Sequence, residues 1–186
     1  MIRIDKNIMV PMRDGVRLAT DVYRLDGATP APVLLTRTPY DKEHALGGTT
    51  IDIIRAVQAG YVVVVQDVRG RYASEGTFNA HAQESHDGAD MIDWFAAQPW
   101  SSGVVGGFGA SYLGCTQWLA AREQPAALRA LAPVVNPADM YNECSYQGGV
   151  KVLHDLRWIA AAIIPGELQR RAARGEPVPD LSLIHI

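Results

Sequence analysis

Residues 106–118 read GGFGASYLGCTQW and surround a single hydroxyl, that of Ser111, with small side chains. The stretch begins as an apolar run and continues as a helical pattern, so Ser111 falls at a predicted strand-to-helix turn. A sharp turn of this kind can hold a strained nucleophilic serine if nearby residues are small, and Gly109 meets that need. Serine is also a common N-cap of helices. The stretch alone therefore leaves both interpretations open, a nucleophile and a helix cap.

Strand and helix patterns alternate around this stretch. The clearest strand is YVVVVQD (61–67), whose continuous β-branched run is typical of a parallel strand covered on both faces. Further strands are predicted over APVLLTRTPY (31–40), GVVGGFGA (103–110) and LRALAPVV (128–135). Helices are predicted over IDIIRAVQAG (51–60), QESHDGADMIDWFAAQPW (83–100) and SYLGCTQWLAARE (111–123). This alternation predicts βαβ units and an α/β fold with a doubly wound, mostly parallel sheet.

The two ends of the chain differ from this pattern. Near the start, Asp14-Gly15 joins two alternating segments and predicts a β-hairpin. After Asn136 comes a loop-like stretch, and then a mostly helical one that is broken at Pro165-Gly166. We therefore predict that residues 1–135 form the N-terminal part of the sheet domain and that residues 136–180 begin a helical cap.

The last six residues, LSLIHI (181–186), resemble the translation of an adapter used in sequencing libraries. The ending is abrupt, with neither a helix cap nor a polar tail. We expect a scar that does not belong to the fold, and a chain truncated near Asp180. A natural C-terminal strand is the alternative.

Composition narrows the class of protein. The chain has 186 residues, 48% of them hydrophobic, and a formal charge of −3, so we expect a globular protein that does not bind nucleic acid. Cys115 and Cys144 lack the spacing of a zinc site. No apolar run approaches the length of a membrane helix, and the start of the chain has no uninterrupted apolar segment typical of a signal peptide. We expect a soluble, cytoplasmic protein without metal or membrane association.

Two polar segments invite a functional interpretation. The loop after the clearest strand carries Asp67, Arg69, Arg71 and Glu75, which we expect to order the loop through internal hydrogen bonds and ion pairs. The segment HAQESHDGAD (81–90) superficially resembles a metal cluster, but its acidic residues are typical of the first turn of a helix. A phosphate-binding loop at GGFG is also disfavoured, because no Gly-Lys-Ser/Thr follows.

Several segments in order resemble the cocaine esterase and X-Pro dipeptidyl-peptidase (peptidase S15, CocE/NonD) hydrolases. They are VPMRDGVRLATDVYR, VLLTRTPYDK, VVVVQDVRGRYASEG, HDGADMIDWFAAQPWSSGVVG, GFGASYLGCTQW and LRALAPVV, within about residues 5–160. That family has tyrosine after the serine and glycine at the third following position, which matches Tyr112 and Gly114. The resemblance implies an α/β-hydrolase fold.

The resemblance also implies roles for individual residues. Ser111 is the expected nucleophile, and the backbone N–H of Tyr112 and the phenol of Tyr40 are the expected oxyanion donors. The implied substrate is a small ester or amide, with no cofactor. X-Pro dipeptidyl-peptidase or α-amino-acid ester hydrolase activity is an alternative. So is a degenerate binding protein in which Ser111 only caps a helix.

The general base is the missing component. Only His154 and His185 follow Ser111 among the histidines, and His154 lies in a predicted helix of the cap, where a structural role is expected. The resemblance places the triad acid and histidine farther downstream. We therefore expect the 186-residue chain alone to be inactive or nearly so and poorly stable, with an apolar sheet edge exposed.

Overall fold

The computed structural model describes residues 1–44 and 50–179. The chain forms two compact units, of which the first is Met1–Ala138 and the second begins at Asp139. The expected scar at 181–186 lies outside the described residues. Within the described ranges, no helix combines the length and the apolar character needed to cross a membrane.

The first unit is built on a six-stranded sheet in the order β1-β2-β4-β3-β5-β6. Strands β1 and β2 form an antiparallel hairpin, and β2 also pairs with β4 in antiparallel fashion. The other neighbouring pairs are parallel, as the alternation of patterns predicted. The bounds are β1 Ile2–Pro11, β2 Arg17–Leu25, β3 Ala31–Thr38, β4 Val62–Asp67, β5 Ser101–Ala110 and β6 Leu128–Val134.

Strand β4 shows why the sheet is covered on both faces. All its residues are buried. Val62 and Val64 belong to one core cluster and Val63 and Val65 to the other, because successive side chains of a strand point to opposite faces. Each buried valine contributes roughly 1.5–3 kcal/mol of hydrophobic stabilisation, so β4 anchors both layers.

Three helices cover the two faces. Helix α1 (Ile53–Gln58) packs on one face, and its first turn is capped by the Asp52 side chain. Helices α2 (Glu84–Ala96) and α3 (Tyr112–Ala121) contribute to the core cluster on the other face. Met91, Ile92 and Phe95 on α2 are all buried. The doubly wound α/β prediction is therefore confirmed.

The second unit differs from its sequence prediction in two ways. The stretch predicted as a loop contains a π-helical segment, Met140–Ser145, which starts where the Asp139 side chain accepts two backbone N–H groups. A pair of two-residue strands, β7 (Tyr146–Gln147) and β8 (Val150–Lys151), follows it.

The helical part of the second unit is not broken at proline. Helix α4 (Leu153–Trp158) continues through a π-helical segment, Ile159–Ile163, into helix α5 (Ile164–Ala173). Pro165 lies in the first turn of α5, where its missing N–H costs little, so the helical path continues across it. The predicted break was wrong for this reason.

Candidate active site

Ser111 stands between β5 and α3 in a strained conformation. Its φ is 56° and its ψ is −122°, a region that residues with a Cβ rarely adopt. The side chain is exposed and makes no capping hydrogen bond, although the residue occupies the N-cap position. The backbone instead fixes the turn: the Ser111 N–H donates to the Val134 carbonyl at 2.9 Å, and its carbonyl accepts the N–H of Gly114 at 2.9 Å. The hydroxyl is thus presented outward.

The glycines around Ser111 are needed for close packing. A Cβ on Gly109, whose φ is 140°, would lie 2.5 Å from the Leu113 Cβ. A Cβ on Gly114 would lie 2.8 Å from Asn136 Oδ1. Glycine is therefore needed three residues after the serine, because position 114 faces the side chain of Asn136, which follows β6.

Gln117 joins the three elements that meet at the turn. Its Nε2 donates to the carbonyls of Leu113 at 3.0 Å and of Gly109 at 3.3 Å, and its Oε1 accepts the Ala132 N–H at 3.1 Å. A Cβ on Gly107 would lie 2.9 Å from the Gln117 Cγ, so the strand leaves room for this side chain. Gln117 was not predicted from the sequence. Its signal was a polar residue on the inner face of a predicted helix.

The backbone and the phenol of Tyr112 lie in different surroundings. Its backbone begins α3 beside Ser111, while its buried phenol donates to Glu84 Oε1 at 2.8 Å and accepts the His81 N–H at 3.1 Å. Its ring stacks on the His81 ring with centroids 4.4 Å apart. Burial and then the negative charge of Glu84 hold the pKa of the Tyr112 phenol above its ordinary value, so the phenol stays protonated as a donor.

Tyr40 lies just beyond β3, the strand that pairs with β5. Because β3 and β5 are parallel neighbours, Tyr40 and Ser111 follow carboxyl ends at the same edge of the sheet. The Tyr40 ring is half-buried and meets the Tyr112 ring edge-on, with centroids 6.4 Å apart and planes at 74°. Its N–H donates to Thr38 Oγ1 at 3.0 Å.

The charged residues of the loop after β4 form hydrogen bonds and ion pairs, as predicted, but mostly with other segments of the chain. Buried Asp67 accepts the Lys42 N–H at 2.8 Å, and Arg71 Nε donates to the Pro39 carbonyl at 3.0 Å, so both side chains contact the segment around Tyr40. Desolvation by burial raises the pKa of Asp67 to about 7, against the lowering effect of the Lys42 N–H bond. The segment that carries Tyr40 is therefore fixed by polar contacts from the next loop.

A buried ion network lies beneath the turn. Arg37 Nη1 donates to Glu84 Oε2 at 2.6 Å, and Arg69 Nη2 donates to Asp87 Oδ1 at 2.6 Å. Arg69 also reaches Asp14 Oδ2 at 2.7 Å. These bonds, that with Asp87 foremost, raise the pKa of Arg69, which stays charged. The acidic residues of the first turn of α2 are thus buried partners of arginines.

The segment 81–90, which superficially resembles a metal cluster, forms the start of α2 and the end of the loop before it. Within residues 1–44 and 50–179, no three His, Cys, Asp or Glu side chains form a group that could hold a metal ion. Cys115 is buried and Cys144 partly buried, and neither forms a disulfide. His154 lies on α4 with an exposed side chain.

Comparison with known proteins identifies the family. A model of the family described as X-Pro dipeptidyl-peptidase (S15 family) matches residues 14–179. The chain belongs to this family. It is 44% identical to the cocaine esterase of Rhodococcus sp. (strain MB1 Bresler) over 181 residues, which are 95% of this chain and 32% of that protein.

Solved structures of family relatives have the same fold. A CocE/NonD family hydrolase from Staphylococcus aureus matches with a TM-score of 0.83 and 27% identity, over 95% of this chain and 36% of that one. An aminopeptidase from a marine sediment archaeon, Thaumarchaeota archaeon, matches with a TM-score of 0.67 and 31% identity, over 79% and 26% respectively. The fold is that of the CocE/NonD α/β hydrolases, and the chain spans about a third of the length of these relatives.

Proposed function

We propose that Ser111 is the nucleophile of an acyl hydrolase that cleaves carboxylic esters or acyl amides. The observation that carries this proposal is the strained, exposed serine between β5 and α3, whose side chain caps nothing. Strain of about 1–3 kcal/mol at a single residue persists only where the surrounding structure enforces it, and it concentrates at functional sites. A serine needed only as a cap would adopt extended angles and bind the helix amides.

In the proposed reaction, Ser111 Oγ adds to the substrate carbonyl carbon while its proton passes to a base. The carbonyl oxygen becomes an oxyanion, which the Tyr112 N–H and the Tyr40 phenol stabilise. The tetrahedral intermediate then expels the alcohol or amine, which takes up the proton, and water hydrolyses the acyl-enzyme. Loss of one oxyanion donor typically reduces the rate by about 10²–10³-fold.

An alternative within the family is a hydrolase that requires a free amine on its substrate. The family description and the archaeal aminopeptidase favour it. The two activities differ in the charge that the enzyme must recognise. Comparing an N-acetylated with an N-terminally free aminoacyl ester separates them: the amine-dependent enzyme prefers the free amine strongly, and the simple esterase does not.

The nucleophile is tested with an alkyl fluorophosphonate followed by peptide mapping. The proposed oxyanion donors would stabilise the charge that develops on the phosphonate oxygen, so we expect Ser111 to react faster than an ordinary exposed serine even without its base. We expect an adduct on Ser111, at least tenfold faster than on the exposed Ser102 of the same chain. Ser111→Ala abolishes it and Ser102→Ala does not. Equal reaction rates of Ser111 and Ser102 contradict the proposal and favour the alternative of a degenerate binding protein.

A further inference from the structure

On the basis of the function proposed above, we infer that Glu84 is a positioning residue of the active site. It holds the phenol of Tyr112 on the inner side of α3, so that the backbone N–H of Tyr112 keeps its position beside Ser111. Glu84 does not touch the substrate in this role. It acts through Tyr112.

The hydrogen bonds that the Tyr112 phenol makes with Glu84 and His81 are called the anchor below. Its phenol is bound from two sides, by Glu84 Oε1 at 2.8 Å and by the His81 N–H at 3.1 Å, in a pocket that leaves the residue 3% exposed. A phenylalanine would fill the same space. The hydroxyl adds direction, because a hydrogen bond to a buried carboxylate is short and geometrically strict. One end of Tyr112 is thereby fixed to the start of α2 and the other begins α3.

The second oxygen of Glu84 extends the anchor to the sheet. Glu84 Oε2 accepts from Arg37 Nη1 at 2.6 Å, and Arg37 Nε donates to Gln66 Oε1 at 2.8 Å. Arg37 lies on β3, the strand that leads to Tyr40. Glu84 therefore binds one side chain from each of the two segments that carry the proposed oxyanion donors. A single carboxylate thus links these two segments, in addition to the pairing of β3 with β5.

A purely stabilising role accounts for this arrangement less well. Buried ion pairs are weak sources of stability, and apolar replacements of similar volume are often neutral or stabilising. Such pairs do fix geometry, since both partners are costly to leave unsatisfied. Misplacing a reacting group by about 1 Å typically costs about 100-fold in rate. Loosening the anchor should therefore alter reactivity at Ser111 far more than it alters folding.

The test compares two anchor variants with a control at the far end of the network. Tyr112→Phe removes the phenol and keeps the backbone N–H. Glu84→Gln replaces one carboxylate oxygen by an NH₂ group, so the two positions that accept from Tyr112 and Arg37 can no longer both be acceptors. Asp14→Asn removes the charge of the half-exposed outer partner of Arg69 and leaves Tyr112 untouched. All are made in the 186-residue chain and reacted with the fluorophosphonate.

We expect the rate of Ser111 modification, referenced to Ser102, to fall by about 10–100-fold in Tyr112→Phe and Glu84→Gln. It stays within about twofold of wild type in Asp14→Asn, even if that variant melts earlier. A folded Tyr112→Phe that reacts at the wild-type rate overturns the inference. Should Glu84→Gln fail to fold, Tyr112→Phe alone decides.

Hydrogen exchange at the amides of residues 109–115 separates this inference from the proposed function. If wild-type Ser111 reacts no faster than Ser102, the proposed function fails, and exchange still tests the anchor. Faster exchange of the Gly114 and Cys115 amides, which donate to the Ser111 carbonyl, in Tyr112→Phe but not in Asp14→Asn supports the anchor. Equal exchange in the two variants refutes it.

Discussion

Gly109 and Leu113 are so close that a Cβ on the glycine would lie 2.5 Å from the leucine Cβ. Gly109 also has a φ of 140°, which side chains rarely tolerate. We expect Gly109→Ala to destabilise the chain by about 2–4 kcal/mol, through overpacking and backbone strain together. Denaturant unfolding measures the loss. Gly103→Ala is the control, because it shares a positive φ but has open space around it; equal losses in the two variants would exclude the overpacking.

The strain at Ser111 predicts an unusual order of stabilities. Glycine normally costs about 0.5–1 kcal/mol relative to alanine, through its flexibility in the unfolded chain. At a φ of 56° the order should reverse, because alanine keeps the strained Cβ and glycine does not. We expect Ser111→Gly to be more stable than Ser111→Ala by about 1 kcal/mol in urea unfolding. An alanine variant as stable as the glycine variant would mean that the turn holds no strain.

Asp67 predicts a pH dependence of stability. Its pKa is raised by burial to about 7 in the fold and is about 4 in the unfolded chain. The native state therefore binds more protons between these values, and the free energy of unfolding falls as the pH rises through this window. We expect a decrease of about 2–3 kcal/mol between pH 5 and pH 8 from this group.

Asp67→Asn should remove that decrease. The amide oxygen can still accept the Lys42 N–H, and the side chain no longer ionises. The comparison of denaturant curves at pH 5 and pH 8 is made in both proteins. A variant that keeps the full wild-type decrease would assign the effect to another group.

The buried pair of Lys42 and Asp21 predicts that the single variant Lys42→Met loses much more stability than a double variant of both residues. Their Nζ and Oδ1 atoms are 3.4 Å apart, and both side chains are almost completely buried. Lys42→Met leaves the carboxylate of Asp21 with the Asn7 N–H as its hydrogen-bond donor among the described residues. We expect a loss of about 3–5 kcal/mol.

The double variant Lys42→Met/Asp21→Asn should recover a substantial part of this loss, because no charge remains buried. A double-mutant cycle from urea unfolding measures the coupling. Additive losses would show that the two groups do not interact.

Local sequence patterns predicted the layers of sheet and helices, but they did not predict the buried polar network. The valine run of β4 and the apolar spacing of α2 predicted both elements because burial on two faces or one stripe leaves a periodic signal. Glu84 and Asp87 were predicted only as first-turn acids of α2. Their partners Arg37 and Arg69 come from other elements, and no local periodicity links such residues.

In the candidate site, too, the sequence predicted the local features and not those that depend on distant residues. Small residues around Ser111 indicated the turn, and its strained backbone follows from how tightly strand and helix approach. The position of Gly114 could be explained only once Asn136 was placed, since that contact depends on the chain beyond β6. The π-helical segment at Met140–Ser145 was missed because its start depends on one side chain, that of Asp139, binding two amides.

The hydrogen bond from the Ser111 N–H to the Val134 carbonyl has a consequence for biosynthesis. The strained turn is held by a strand that the ribosome makes later than the serine itself. At about 5–20 residues per second, Val134 is polymerised about 1–5 s after Ser111. We therefore expect the turn at Ser111 to stay relaxed in the nascent chain until β6 has emerged and docked.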